Sequence, residues 1–410
     1  MVSVEWLFLD MNSFFASVEQ QLQPKLRGMP VAVVPVMTNR TCCIAASYEA
    51  REYGIRTGTN VGDARKACPR LHLVLANHEN YIRIHHEIIA AVETVLPVEK
   101  VCSIDEMVCR ISPHQRSLDD AVVLAKRVKQ AIYEQVGTHL RCSIGLAPNR
   151  FLAKVASNMQ KPDGLSYITR NELPYKLYRL SLRDLPGIGR GMLARLQNRG
   201  VLTVRQLCSL SRDNLTDVWQ SVLGEQWWCW LRGDDYLDVP THRRTVSHSH
   251  VLAPEFRNDL GARGVLVRLI HKAASRLRRL GYWSRRMKLS LSYQHGWPKW
   301  RAVTYLSRCQ DTPSMLRAFE EMWSQRPPGG VPLKVGIVLW DLASNANTSL
   351  PLFAEEHRNL RATQAMDAIN ERVGPNSVYF ASMHEAREQA PMRIAFTHIP
   401  DITAESEGRR

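Results

Sequence analysis

The first strongly patterned stretch, Trp6-Leu7-Phe8-Leu9, is an unbroken apolar run and predicts a buried strand over residues 4–9. Ser13 then precedes apolar positions at helical spacing, so a Ser-capped helix is expected from Ser13 to Leu22. Val31 to Val36 is β-branched and predicts a strand, while Tyr48 to Tyr53 and Asp63 to Cys68 have the length of short helices, set apart by Gly54 and Gly58. Ile82 to Val95 predicts a long helix. Strands at 98–104 and 107–111 flank the acidic pair Asp105-Glu106, and an amphipathic helix from Leu118 to Val136 leads into a strand from Leu140 to Leu146. Strands mixed with packed helices make the fold class α+β.

Further along, Leu185-Pro186-Gly187-Ile188-Gly189 precedes short patterned segments at Met192 to Leu196 and, after Gly200, Thr203 to Leu210. Gly-x-Gly between two short helices suits either a plain helix turn or a helix-hairpin-helix, in which Gly187 and Gly189 bring backbone amides close to a phosphate without reading sequence. The polar stretch from Gly233 to Arg244, with Pro240, suits a linker. Lys288 to Tyr293 and Val335 to Leu339 alternate like half-buried strands, Asn345 to Ser349 is loop-like, and Ala362 to Val373 suits a helix. The remainder reads as a tail.

A chain of 410 residues, 45% hydrophobic, exceeds what one core organises and predicts several domains. Its net charge of +15 is compatible with a polyanion, a membrane surface or mere solubility. The distribution narrows this. Residues 243–345 hold 18 Lys/Arg against 6 Asp/Glu, 12 of the 15 net charges, and Arg276, Arg278, Arg279, Arg285, Arg286 and Lys288 cluster around Gly281. One strongly basic region suits a phosphate backbone, where counterion release supplies affinity. The nine cysteines include no CxxC or Cys/His spacing for zinc, which suits reduced thiols. With no leader and no run of about 18 apolar residues, a soluble cytoplasmic protein with no membrane partner is expected.

Chemistry enters where the apolar runs end. Phe8-Leu9-Asp10-Met11 and Cys102-Ser103-Ile104-Asp105-Glu106-Met107 place acids where a polar turn residue would suffice. Buried acids need partners, and a hard divalent cation is a natural one for three carboxylates. Mg²⁺ shared with substrate phosphates points to phosphoryl transfer, with one ion activating the attacking oxygen and a second neutralising the leaving pyrophosphate. Adjacent residues on a flat strand face opposite ways, so Asp105 and Glu106 converge only if the chain turns or bulges between them.

FLDMNSFFASVEQ at 8–20, ASYEAREYGIRTG at 46–58, SIDE at 103–106 and SIGLAPNRFLAKVASNMQKPDG at 143–164 occur in that order. In this the chain resembles the Y-family (translesion) DNA polymerases of the bacterial polymerase IV and V type, from its start to about residue 345. The resemblance implies a right-hand-like polymerase: a palm of residues 1–20 and 78–168, fingers at 21–77 and a helical thumb at 169–235 carrying the helix-hairpin-helix. A linker at 236–245, a basic little finger at 246–345 and a tail at 346–410 would complete it. Asp10, Asp105 and Glu106 match the family's metal-binding carboxylates, with the Met11 carbonyl as a further ligand, two Mg²⁺ as cofactors and Glu106 nearest the primer 3′-hydroxyl. Phe15 corresponds to the aromatic gate under the incoming sugar. Tyr48, Arg51 and Lys161 match the triphosphate clamp, and Cys42 and Ile44 the roof over the nascent base pair. Gly187, Gly189, Arg278, Arg279, Arg285 and Arg286 would contact primer-template DNA.

The resemblance also implies a low-fidelity, lesion-bypassing enzyme that uses dNTPs and acts as a monomer. Asn12 departs from the second acid common in polymerase IV types and leaves allegiance between types IV and V open. Leu350-Pro351-Leu352-Phe353 is similar to the end of a sliding-clamp-binding peptide, with Leu350, Leu352 and Phe353 as anchors and Asn347 where Gln is usual. Two rivals remain: a catalytically inactive accessory protein on the same fold, which would have lost the acids this chain keeps, and a helix-hairpin-helix module, which leaves the first 165 residues unexplained.

Overall fold

A computed structural model describes residues 3–236, 243–348, 353–374 and 376–391, with 394 and 399. The described residues fall into two compact units, one of residues 3–236 with 394 and 399, and one of the described residues from 243 to 391.

In the first unit, β1 (Trp6–Met11) leads into α1 (Phe14–Leu22). A small sheet follows, of β2 (Val31–Val34) and β3 (Ala45–Ala46), with α2 (Tyr48–Glu52), α3 (Val61–Ala67) and β4 (His72–Leu75). Then come α4 (His78–Glu93), β5 (Val98–Ser103), β6 (Glu106–Arg110), α5 (Leu118–Gln135), β7 (Cys142–Ala147), α6 (Arg150–Met159) and β8 (Leu165–Tyr167). The main sheet has the order β5-β6-β1-β7-β8, with β1 antiparallel to both neighbours. All six residues of β1 are buried, as its unbroken apolar run requires of a central strand. Against β7 lies α6, and Gly145 permits the contact: a Cβ there would stand 2.0 Å from the carbonyl oxygen of Ala153.

The expected Ser cap on α1 is not formed. Ser13 takes a left-handed conformation (φ 49°) and its hydroxyl accepts nothing from the helix. A tight bend after Met11 outweighs the cap, and the Ser13 hydroxyl ends buried without a partner.

Short helices complete the unit: α7 (Arg190–Gln197), α8 (Val204–Ser209), α9 (Arg212–Trp219) and α10 (Leu223–Leu231). Their apolar faces join Trp6 and Phe8 and the buried side of α6 in one core. All nine cysteines of the chain are free.

The second unit is an antiparallel sheet in the order β11-β10-β12-β9, built from β9 (Thr245–Val251), β10 (Tyr282–Tyr293), β11 (Trp300–Cys309) and β12 (Pro332–Ser344). Helices α11 (Asp259–Arg279) and α12 (Thr312–Ser324) cover one face. Met287, Leu289, Leu291, Val335, Ile337 and Leu339 alternate inward against Leu266, Ile270 and Phe319. The other face carries Arg286, Lys288 and Ser290, in register with Tyr305, Val303 and Arg301.

The C-terminal region is more than a tail. Helix α13 (Ala354–Val373) starts eight residues before the expected Ala362 and packs on α11 and α12, and a following 3-10 turn, Ala381–Ala386, buries Met383 and Ala386 against α11. Apolar residues are sparse here, so the pattern under-reported the packing. No described helix is long and apolar enough to cross a membrane.

Candidate active site

The end of β1 and the β5–β6 hairpin build the centre. Asp10 faces Glu106 in antiparallel register, and Met11 donates its amide to the Asp105 carbonyl at 2.8 Å. Ile104 and Asp105 form the two-residue turn and Ser103 pairs with Glu106, so the chain turns where convergence of the two acids requires it. The Ser103 hydroxyl meets Asp105 Oδ1 at 2.5 Å.

Two lysines answer the acids. Lys154 Nζ lies 2.5 Å from Asp10 Oδ2 and 2.6 Å from Glu106 Oε1, and Lys161 Nζ lies 2.6 Å from Asp10 Oδ1. Burial pushes the Asp105 carboxyl above its ordinary range, opposed by the Ser103 hydrogen bond. It also raises Glu106, opposed by Lys154. Lys154 titrates above an ordinary lysine: burial lowers it, and the Asp10 and Glu106 charges outweigh that.

Lys154 was not among the expected site residues. Its signal was available: Asn149 caps α6, and Leu152, Val155 and Ala156 define a buried helix face beside which Lys154 falls. A lysine 17% exposed beside that face needs a carboxylate partner.

The hard oxygen donors suit a divalent metal, and the bridging ammonium shows that Asp10 and Glu106 converge on a cation-sized position. Among the described residues no three Asp, Glu, His or Cys side chains form a ready ligand cluster, because Asp105 is turned to Ser103 and Lys154 holds the other two.

Around this centre, Phe14 is buried and Phe15 half-buried, its ring stacked on Tyr81 at 4.3 Å. Tyr81 is anchored in turn, donating its hydroxyl to Glu19 Oε1 at 2.7 Å. Arg51 lies over the Tyr48 ring at 4.7 Å. The Tyr48 hydroxyl is buried without a partner, and burial raises its pKa, with Arg51 opposing and Asp10 adding to the rise. A buried phenol hydroxyl beside the Arg51 guanidinium suits a phosphate oxygen. Cys42 is exposed and Ile44 half-buried, on either side of buried Cys43.

The helical region places Gly187 at φ 100° and Gly189 as the N-cap of α7, where no side chain satisfies the first-turn amides. In the second unit Arg285 is exposed and Arg286 lies over Tyr305 at 4.7 Å. Arg278, expected to contact DNA, is instead buried under α13. It is bound to Asp367 through Nε at 2.6 Å and Nη2 at 3.0 Å, and to the Gln310 carbonyl at 2.7 Å. Arg279 ends the same helix and is exposed. Phe353 is 70% exposed at the start of α13, while Leu350 and Leu352 lie outside the described residues, as does most of the expected linker.

The impB/mucB/samB family model matches residues 9–158, and that family's C-terminal domain model matches residues 243–352. A DNA polymerase IV of Moorella thermoacetica is 33% identical over 92% of this chain and 95% of its own length, and one of Pelotomaculum thermopropionicum is 30% identical over 91% and 93%. Among solved structures, a Y-family DNA polymerase chimera superposes with a TM-score of 0.70 at 20% identity, covering 83% of this chain and all of its own. Similarity along nearly the whole length, with the acids and the fold in place, means that the chain belongs to the Y-family DNA polymerases, on the polymerase IV side.

Proposed function

We propose that the chain is a template-directed DNA polymerase that extends primers from dNTPs with low fidelity and passes template lesions. The observation that carries the reading is the convergence of Asp10 and Glu106 on one cation-sized position beside Asp105. Asp10, Asp105, Glu106 and the Met11 carbonyl would hold two Mg²⁺. When bound, these ions activate the primer 3′-hydroxyl and neutralise the departing pyrophosphate.

The protein's own groups do the rest. Glu106, nearest the primer terminus in this reading, orients the attacking hydroxyl. Tyr48, Arg51 and Lys161 contact the β- and γ-phosphates, the buried Tyr48 hydroxyl gaining the partner it lacks. Phe15, backed by Tyr81, lies under the sugar and collides with a 2′-hydroxyl. Cys42 and Ile44 cover the nascent pair. That roof stands on a small three-stranded sheet, which leaves little protein to police pair geometry.

The main sheet with α4–α6 serves as palm, residues 21–77 as fingers and α7–α10 as thumb. The amides at Gly187 and Gly189, and Arg279, Arg285 and Arg286 on the basic unit, grip the primer-template backbone. A sliding clamp would take Leu350, Leu352 and Phe353. The enzyme acts as a cytoplasmic monomer in this reading. An inactive accessory role fits less well, since the chain keeps all three acids and Asp10 and Glu106 converge beside Asp105.

The test is primer extension with Mg²⁺ on undamaged and abasic templates. Extension on both, abolished by Glu106→Gln, is expected. Primer-template binding without extension would favour the accessory protein.

A further inference from the structure

Asn12 stands where the family resemblance led us to expect a second acid, and the site described so far gives it no task. Its side chain is nevertheless committed. Buried to 3% exposure, it donates through Nδ2 to Ser143 Oγ at 3.0 Å and accepts through Oδ1 from the Asp163 amide at 2.7 Å. Ser143 Oγ in turn accepts from the Gly164 amide at 3.3 Å. The loop from Gln160 to Gly164 is thereby tied at its inner side to β1 and β7.

The loop needs those ties. Asp163 holds φ at 55°, a conformation costly for a residue with a side chain, and a Cβ on Gly164 would stand 2.0 Å from the Gln160 carbonyl oxygen. On the outer side Lys129 binds the Asp163 carboxylate at 2.7 Å and its carbonyl at 2.6 Å. Lys161 projects from this loop and reaches Asp10, two residues before Asn12. One short stretch of β1 and its exit therefore holds both the ammonium of Lys161, through Asp10, and the backbone that carries it, through Asn12.

We propose that Asn12 is a positioning residue for Lys161: by bracing residues 160–164 against Ser143 it fixes where that ammonium meets the incoming triphosphate. This rests on the reading of Lys161 as a triphosphate contact. Asn12 then acts on nucleotide binding without touching the nucleotide. An Asp in its place can accept from both the Asp163 amide and the Ser143 hydroxyl and keeps the brace, whereas an apolar residue of similar size cannot.

Single-nucleotide incorporation on one primer-template tests this with wild type, Asn12→Leu, Asn12→Asp, Lys161→Ala and the Asn12→Leu/Lys161→Ala double variant. Asn12→Leu is expected to raise KM for dNTP about tenfold with kcat changed less than about threefold, because the weakened interaction serves the bound substrate and the transition state equally. Asn12→Asp should restore KM. The double variant should match Lys161→Ala, since a brace has nothing to position once the ammonium is gone. Multiplying effects in the double variant, or a fall in kcat and thermal midpoint with KM unmoved, would overturn the proposal. Should Lys161→Ala leave KM unchanged, the triphosphate reading falls and the brace with it; if it raises KM while Asn12→Leu does not, the brace alone falls. If Asn12→Leu fails to fold, Ser143→Ala replaces it in the cycle, with a smaller KM rise expected and an unchanged KM counting against the brace.

Discussion

Two charged clusters in this protein use similar chemistry to different ends. At the tip of β1, Asp10 and Glu106 meet Lys154, and Asp10 also meets Lys161; these ammonium groups are compact point charges on flexible stems. At the end of α11, the Arg278 guanidinium meets Asp367 through a planar two-bond fork and directs a further donor to the Gln310 carbonyl. The first arrangement is exchangeable, because an ammonium can leave a carboxylate when a better cation arrives. In the second the fork is saturated and closed over by α13. Charge density alone therefore does not mark function; what matters is whether the partners can be released.

The largest expected effect lies in the exchangeable cluster. Asp105→Asn or Glu106→Gln should lower primer extension by a factor on the order of 10³ or more while primer-template affinity changes less than about threefold, because affinity comes from remote phosphate contacts. Single-turnover extension and a binding titration on the same protein separate the two. Near-normal extension by either variant would remove the distinction between the clusters.

Arg278→Met should act on folding instead. Leaving half-buried Asp367 without its partner is expected to cost on the order of 1–2 kcal/mol, seen as a lower denaturant midpoint, with the salt dependence of DNA binding unaltered. Arg285→Ala should do the reverse, reducing the log–log salt slope by about 0.9 at unchanged stability. Exchange of these two outcomes would show Arg278 to be the DNA contact and Arg285 the structural one.

A smaller effect is expected of Lys154→Met. Without the ammonium, Asp10 and Glu106 repel across their strand pair, so the metal-free protein should melt a few degrees lower, and Mn²⁺ should raise its midpoint more than it raises that of wild type. An equal Mn²⁺ response in both proteins would mean that Lys154 and the metal do not compete.

The smallest effect is a pH dependence of the saturated cluster. His271 packs beside Arg268, Arg278, Asp367 and Phe380, and burial, reinforced by both arginines and opposed by Asp367, lowers its pKa to about 3. The folded state therefore keeps a neutral imidazole while the unfolded chain protonates near pH 6.5. That contribution to stability is complete above pH 6.5 and is lost as pH falls from there toward 3. Urea midpoints measured at pH 7 and pH 5 should fall less for His271→Phe than for wild type; parallel losses would place the titration elsewhere.

Much of the site was legible along the chain. Acids ending apolar runs exposed Asp10, Asp105 and Glu106, and the ordered motifs pointed to Tyr48, Arg51 and Lys161. Lys154 was missed although it lies inside one of those motifs, because its partners are 144 and 48 residues away. Asn12 was legible only as a missing charge, since Ser143 and Asp163 come to it through the sheet. Arg278 was misplaced for the opposite reason: a run of arginines along a helix end does not show which one a distant helix will cover.

By itself, then, the sequence determined periodicities, and through them the main elements: the buried centre of β1, the amphipathic α5 and the alternating strands of the basic unit. Those follow from local steric preference and from which face must leave water. Tertiary structure alone decided the pairings. Whether a charge is released or saturated, whether a serine caps a helix or bends away from it, and whether α13 is tail or core depend on groups far apart in the chain brought within about 3 Å, a distance that periodicity does not encode.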